Sequence, residues 1–525
     1  MKRLWIPAIS VSFILLNLAP ISSASSLQTE YSLNSLNAPM AGKDSLRFVV
    51  SSESNAWSPS SDINPFRSLK PFNAFLRPCE EVVIQVCIQS VETRFGNDKW
   101  KEAGVLPDAG HPITEMPTID NNGAPVSYKY STFDGDLSKS LPPGGNPRLW
   151  KPSDANLSGA YLRVIADVHG MEIPETSGLA LQIKAVTDKQ DMQGCNSVRG
   201  TWNVYTEGKP SSGFCDLTLK IPSDLEFRVK LKFKDFEDPI KGWFTSTILN
   251  PNVDYAEGVL TLSGGATSHS NFVSDPIPFS EYCQIYLSQN PQYACPYNVK
   301  FSYPNGSQSI LSREWAAAAM PFAKYFQQQS SGEQNLWLFE STFQTPFNTI
   351  FHNQISGCKL SKPIFGVIST DAAFYNISDL KWNPAERSFE YSVYSPHLNS
   401  SGAINSGFFS LLVDRNVAGC LWNANLTTAK AVLSVNYEDG SSEVATTTIG
   451  NSDKWITFQT AGFHYSKPKF IAKLDLAPEV AVVPTPPAKV SNPIKPSTFC
   501  VKGKTIRKLA GANATCPVGF KRKVQ

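Results

Sequence analysis

The chain has 525 residues, a formal net charge of +2, 41% hydrophobic and 18% charged residues. That length allows about three domains with buried cores, and the composition excludes disorder, a coiled coil and collagen. Beyond the first two dozen residues no run approaches 18 apolar residues, which excludes a polytopic membrane protein.

Residues 1–24 read as a signal peptide. Lys2 and Arg3 precede the apolar LWIPAISVSFILLNLAP, and Ser22-Ser23-Ala24 puts small residues at a cleavage site. An uncleaved anchor is the alternative, but Pro7, Asn17 and Pro20 break the apolar stretch. The mature chain is therefore expected to begin near Ser25, secreted or cell-wall-associated, without a transmembrane helix. Residues 25–75, rich in Ser, Asn and Pro, are expected to be loosely ordered around one strand, SLRFVV.

A β-rich domain is expected over 76–237. CIQSVETRF-GND-KWKEAGV reads as a hairpin closed by a Gly-Asn-Asp turn. The Pro/Gly-rich LPPGGNPRLWKPSD reads as a long exposed loop, followed by strands in AYLRVIADVHGMEI, LALQIKAV and LEFRVKLKFKDF. Strict alternation of Phe227, Val229, Leu231 and Phe233 makes the last a half-buried strand. A second β-rich domain, 238–357, takes in strands at GWFTSTILNP, GVLTLSG, YNVKFSY and NLWLFESTF. It also holds the one expected helical segment, near 310–326, interrupted by Pro321. Over 358–475 seven short strands recur every ten or so residues, the pattern of an antiparallel β-sandwich with Phe409, Leu411 and Val413 facing inward. A Pro-rich linker, 476–497, leads to a basic disulfide module at 498–525. The fold class is thus mainly β, a multidomain antiparallel β-sandwich architecture of Ig-like or jelly-roll-like type.

Ten cysteines in an exported chain read as disulfides. They arrive as near neighbours: Cys79 and Cys87, Cys195 and Cys215, Cys283 and Cys295, Cys358 and Cys420, Cys500 and Cys516. Pairing in that order is expected. Between Cys79 and Cys87 a straight strand would span about 26 Å, far beyond the reach of a bridge. Either this segment closes into a loop that feeds a strand starting at Ile88, or these two cysteines have other partners; the closed loop is expected. With no C-x2-C pair and only six histidines, no metal site is expected.

SPHLNSSGAINSGFFSLLVDRNVAGCLW, VATTTIG and ITFQTAGFHYSKPKF resemble the C-terminal β-domain of uncharacterised secreted actinobacterial proteins. The ending TFCVKGKTIRKLAGANATCPVGFKRK resembles a short basic two-cysteine module at the C-termini of exported proteins of that phylum. CIQSVETRFGNDKWKEAG and GWFTSTILNP are similar to the same group. The resemblance implies export and lineage, and no activity.

Motifs for chemistry are sparse. The chain lacks a G-x-S-x-G elbow, a phosphate-binding Gly loop and an H-E-x-x-H pair. No catalytic residue and no cofactor is assigned from sequence. His397, which matches the resembling pattern, and Trp150, in the loop read as exposed, are the ligand-binding candidates. His169 can face Asp167 on one strand, and Asp134, Asp136 and Glu340 are the carboxylates a glycosidase could use. Six N-x-[ST] sequons match the chance level for so Ser- and Asn-rich a chain.

Charge is unevenly placed. Residues 489–525 hold nine Lys or Arg and no acid, whereas 25–488 carry 36 basic against 45 acidic residues. Lys502, Lys504, Arg507, Lys508, Lys521, Arg522 and Lys523 are expected to attach the chain to an anionic cell-envelope polymer, and nucleic acid is not expected as a partner. The expected function is that of a non-catalytic binding or structural protein. The alternative is a secreted hydrolase acting on an extracellular polymer such as a glycan.

Overall fold

Period-two alternation marks the strand at 225–233, whereas the strands at 242–246 and 364–370 are buried throughout. A computed structural model describes residues 45–50, 71–106, 117–119, 125–127, 132–145, 147–171, 177–190, 216–289, 307–311, 321–341, 358, 363–375, 380–423, 426, 430–437, 441–443, 448–465, 467–475, 497–510 and 514–523. Its two units are Met1–Asp475 and Leu476–Gln525. The segment read as a signal peptide, the expected linker to residue 496 and the strand expected at YNVKFSY lie outside the described residues.

β1 (Ser45–Val50) is the SLRFVV strand, and β2 (Pro71–Phe75) forms inside the segment expected to be loosely ordered. β3 (Val86–Phe95) and β4 (Lys101–Glu102) are the expected hairpin, with Glu92 opposite Glu102. β5 (Gly104–Val105), the paired β6 (Pro117–Ile119) and β7 (Pro125–Ser127), and β8 (Leu149–Lys151) are short. β9 (Tyr161–Met171), β10 (Gly178–Gln190), β11 (Asp216–Thr218) and β12 (Leu225–Phe233) follow. In β12 every second residue is buried, as its alternation requires.

Next come β13 (Gly242–Ser246), β14 (Ile248–Ala256), β15 (Val259–Val273), β16 (Ile277–Pro278), α1 (Phe279–Gln289), β17 (Ser307–Leu311) and β18 (Gly332–Ser341). The strands of the third region are β19 (Ile364–Thr370), β20 (Lys381–Asn383), β21 (Ser388–Ser392), β22 (Ser406–Asp414), β23 (Lys430–Asn436), β24 (Ser442–Glu443), β25 (Thr448–Asn451), β26 (Trp455–His464) and β27 (Lys469–Asp475). α2 (Arg415–Trp422) follows β22.

The helix expected near 310–326 takes another form where it is described. Ile310 and Leu311 belong to β17, and 321–325 is a 3-10 segment; the intervening residues lie outside the described set. The two described α-helices fall elsewhere. α1 places Phe279, Tyr282, Ile285 and Tyr286 at helical spacing, a signal masked by residue types that favour strands. α2 is capped by Asp414, whose carboxylate accepts hydrogen bonds from the Asn416 and Val417 N–H groups, and it ends at Asn423 in the left-handed region. Neither helix is long and apolar enough to cross a membrane.

One long sheet runs β2–β9–β10–β18–β13–β19–β22–β26–β25, antiparallel except between β13 and β19. A second layer, β4–β3–β12–β15–β14, covers part of one face, and the cluster holding Phe227, Trp337, Phe244 and Phe339 fills the space between. A five-stranded sheet, β20–β21–β27–β23–β24, covers part of the other face. There Phe409 stacks on Phe470 at 4.0 Å, and Trp422 meets Phe389 and Phe458. Phe409, Leu411 and Val413 are buried as expected, but so are Phe408 and Leu412, because β22 is covered on both faces.

The expected boundaries at 237/238 and 357/358 fall inside this ladder. β13 pairs with both β18 and β19, and β10 pairs with β18, so the three expected domains share one sheet. Alternation within a strand reports which face is buried, and it carries no information about which strand lies alongside.

Cys79–Cys87, Cys358–Cys420 and Cys500–Cys516 are bridged as expected. A 3-10 turn at Cys79–Glu81 folds the first loop back to a Cα separation of 5.0 Å, and the strand then starts at Val86, two residues before the expected Ile88. Cys283 is also disulfide-bonded. Cys195, Cys215 and Cys295 lie outside the described residues.

Two glycines separate backbone strain from crowding. Gly96 and Gly264 both have positive φ, yet a Cβ on Gly96 would meet nothing within 4 Å, whereas on Gly264 it would lie 2.5 Å from Ile248 Cγ2 and Leu249 O. Gly96→Ala should cost about 1–2 kcal/mol for the left-handed backbone alone. Gly264→Ala adds an overpacking cost of about 1–3 kcal/mol, so urea denaturation should show a clearly lower midpoint for Gly264→Ala than for Gly96→Ala.

Candidate functional site

Trp150 is 3% exposed and sits in the main core on β8, which pairs with β5 and β9. The loop expected to be exposed is therefore largely buried. Arg148 beside it is held by Glu81 through two hydrogen bonds of 3.0 and 2.6 Å, and Gly145 lets the Arg77 side chain pass close by. With both charge and backbone satisfied locally, a Pro/Gly-rich stretch can lie inside. His397 is half-buried. Its Nδ1 lies 3.3 Å from the Tyr465 carbonyl, and its own carbonyl accepts the Asn405 N–H, so it pins the loop before β22. Trp150 and His397 thus sit on separate elements and each is used locally.

Asp136 caps the 3-10 turn Leu137–Lys139 and pairs with Lys139, while Asp134 is an exposed partner of Arg77. Hydrogen bonds from Ser138 and Lys139 hold the Asp136 carboxyl below its usual range. Trp100, not singled out by sequence, has the guanidinium carbons of Arg94 and Arg228 each 4.4 Å from its ring centroid. Those cations occupy its π surface, and Glu226 and Glu92 hold them in place.

A different cluster emerges from the long sheet. Directly opposed residues run Phe458, Leu411, Ile368, Thr245, Glu340, Ala180, Asp167, Phe75 across eight strands, and opposed residues share a face. The apolar half of this row lies on the face of Phe409 and Trp243, where the five-stranded sheet packs through Phe470 and Phe389. The other half is polar. β10 contributes only Gly178 and Ala180 to this face, between Asp167 and His169 on β9 and Glu340 on β18, whereas Ser341, opposed to Phe244, starts from the other face.

Asp167 is fully buried, Glu340 is 4% exposed and Ser341 is 6% exposed. His169 Nδ1 lies 3.7 Å from Asp167 Oδ2, and the His169 side chain is 21% exposed. Ser341 Oγ accepts the Leu179 N–H at 2.7 Å. A Cβ on Gly178 would lie 2.7 Å from Ser341 Oγ and 2.8 Å from His169 Nε2, so the two atoms share the space that glycine leaves. Burial pushes the Asp167 carboxyl above its ordinary 3.8, and His169 and the Ala74 N–H pull it only part of the way back. The His169–Asp167 pairing was legible from the spacing of two. Ser341 was not, because 162 residues separate it from Leu179.

Among the described residues of the Leu476–Gln525 unit a three-stranded sheet forms from β28 (Ser497–Lys502), β29 (Thr505–Ala510) and β30 (Lys521–Arg522), ordered β29–β28–β30. Cys500, buried at its centre, has Arg507 opposite on one side and Arg522 on the other. Lys508 opposes Phe499, and Lys521 opposes Val501. Alternation along β28 therefore sends cations to both faces. Lys502 and Arg507 lie over the Phe520 ring at 5.9 and 5.3 Å, and Lys508 over Phe499 at 5.7 Å. Lys502, Lys504, Arg507, Lys508, Lys521, Arg522 and Lys523 are all exposed.

No protein-family model matches the chain, and no curated protein matches it. Among the described residues no cluster of His, Cys, Asp and Glu has the arrangement of a metal site.

Asp167 gives a measurable signature. Its folded-state pKa is raised, so the folded protein binds a proton more tightly than the unfolded chain. The associated stability is complete below about pH 3.8 and is lost as pH rises through the folded value. Asp167→Asn should remove that loss. Urea denaturation across a pH series should show the variant gaining on the parent as pH rises from 3.8.

Proposed function

We propose that this is an exported protein that works at the cell envelope as a binding or structural component, retained there by its C-terminal unit. The disulfides fit an oxidising, extracellular compartment. Lys2, Arg3 and the apolar run after them supply the export signal, in keeping with the resemblance to secreted actinobacterial proteins.

The observation that carries the proposal is the placement of charge. Seven exposed cations occupy a disulfide-closed sheet with no acid anywhere in 489–525. A unit this small cannot build a large core, so its stability comes from the Cys500–Cys516 bridge while its surface is left to charge. Cations on both faces suit a flexible anionic polymer that can follow the surface, more than a flat array of headgroups. Phe499 and Phe520 hold three of the cations over aromatic rings, which limits their freedom before binding.

Isolated cell envelopes should retain the full chain at low salt and release it as salt rises towards 0.5 M, because exposed charge pairs are screened. A chain ending at Pro496 should not sediment with envelopes at any salt. Anionic lipid vesicles serve as the control and should bind less than polymer-bearing walls. Unchanged retention of the shortened chain sinks the proposal.

A further inference from the structure

We infer that one face of the C-terminal sheet, the face of Phe499, Val501 and Ile506, binds a polysaccharide that carries anionic groups on its sugar rings. The inference rests on envelope attachment through this unit. It adds which face makes the contact and what the polymer is made of.

Register sorts the side chains into two unlike faces. Opposed residues share a face, and neighbours along a strand alternate. Cys500, Arg507 and Arg522 therefore lie on one face, and Lys502 lies with them. That face is closed. Cys500 is fully buried and bridged to Cys516, and the Phe520 ring lies beneath Lys502 and Arg507. A Cβ on Gly519 would lie 3.0 Å from Lys502 Nζ, so the segment after Cys516 packs against this side.

The other face is open. Val501 lies between Ile506 on β29 and Lys521 on β30. Phe499 lies between Lys508 on β29 and Lys523, whose N–H donates to the Phe499 carbonyl. Ile506 is 58% exposed, Phe499 and Val501 are half-buried, and the three lysines are exposed. An apolar centre rimmed by charge is the make-up of an interface. No acid in 489–525 competes for the lysines.

The centre and the rim together select the ligand. Along the row Lys523, Phe499, Lys508 the two lysine backbones stand about 10 Å apart, two strand spacings, with an aromatic ring between them. The electron-rich face of Phe499 attracts the C–H groups of a sugar ring laid on it. The lysines on either side take carboxylate or phosphate groups borne by that sugar or its neighbours. Lys508 lies over the ring at 5.7 Å, which holds its charge beside the place a sugar would occupy. A polyanion without rings would use the lysines and leave Phe499, Val501 and Ile506 in water. A bilayer needs apolar groups that project past the charges, whereas here they lie between longer lysine side chains.

The test uses the full chain and, at one ionic strength, polygalacturonate, inorganic polyphosphate, uncharged dextran and phosphatidylglycerol vesicles. Polygalacturonate should bind most tightly and dextran least. Lys508→Gln, Lys521→Gln and Lys523→Gln together should weaken polygalacturonate binding roughly tenfold more than Lys502→Gln, Lys504→Gln and Arg522→Gln together, although both sets remove the same charge. Ile506→Thr keeps a strand-forming residue at an exposed position, and Phe499→Leu keeps apolar bulk without the ring. Each should weaken polygalacturonate binding by roughly threefold or more and leave polyphosphate binding unchanged. Equal losses from the two triple variants, polyphosphate bound as tightly as polygalacturonate, or vesicles bound more tightly than either overturns the assignment. Envelope retention that is lost on truncation after Pro496 but kept by Phe499→Leu and by the Lys508, Lys521 and Lys523 variant overturns the choice of face and leaves attachment standing. Retention of the shortened chain overturns both.

Discussion

Strand β18 changes partner halfway along, and the larger unit depends on that change. Gly332–Leu336 pairs with the second half of β15, whereas Trp337–Ser341 lies between β10 and β13. At the junction the Trp337 indole is fully buried, sits edge-on to Phe227 at 6.2 Å and donates its N–H to the Gly264 carbonyl at 2.9 Å. Gly264 reaches that position with φ of +148° and no room for a side chain. One tryptophan and one glycine therefore join the two layers where both strands leave one ladder for another. A buried indole N–H left without a carbonyl would cost about 1–3 kcal/mol, so this hydrogen bond also fixes the relative register of β15 and β18.

The long sheet then has to be covered on both faces. The β3–β12–β15–β14 layer takes one face, and the five-stranded sheet takes the apolar stretch of the other, from Phe458 to Ile368. Past that stretch the same row carries Thr245, Glu340 and Asp167. Burying a carboxylate is costly unless something holds it, and Asp167 keeps its raised pKa in the folded chain. Stability alone favours an apolar residue there, as it does at Ile368 and Leu411.

The C-terminal unit answers a different constraint. Thr498 and Cys500 are buried, while Ile506 is 58% exposed and the cations are in solvent. Three short strands with so little to bury rely on a covalent closure, and the absence of acids from 489–525 leaves their charge unneutralised there. The acidic balance of 25–488 makes the two units electrostatically unlike each other.

Local order was legible in the sequence. The alternation of Phe227, Val229, Leu231 and Phe233, the GND turn and the seven strands after Cys358 all report backbone preferences set by near neighbours, and the charge of the tail is a matter of counting. The pairing Cys79–Cys87 followed from chain reach, once the segment between was allowed to turn. Tertiary structure decided the rest. Whether Trp150 faced solvent depended on β5 and β9 closing over it, and whether 238 or 358 opened a new domain depended on β13 lying between β18 and β19. Glu340 could be placed across Ala180 from Asp167 only by the register of β9, β10 and β18. Side-chain alternation is the same for every partner a strand might take, so no pattern within one strand can name its neighbour; only the packing of the whole sheet selects it.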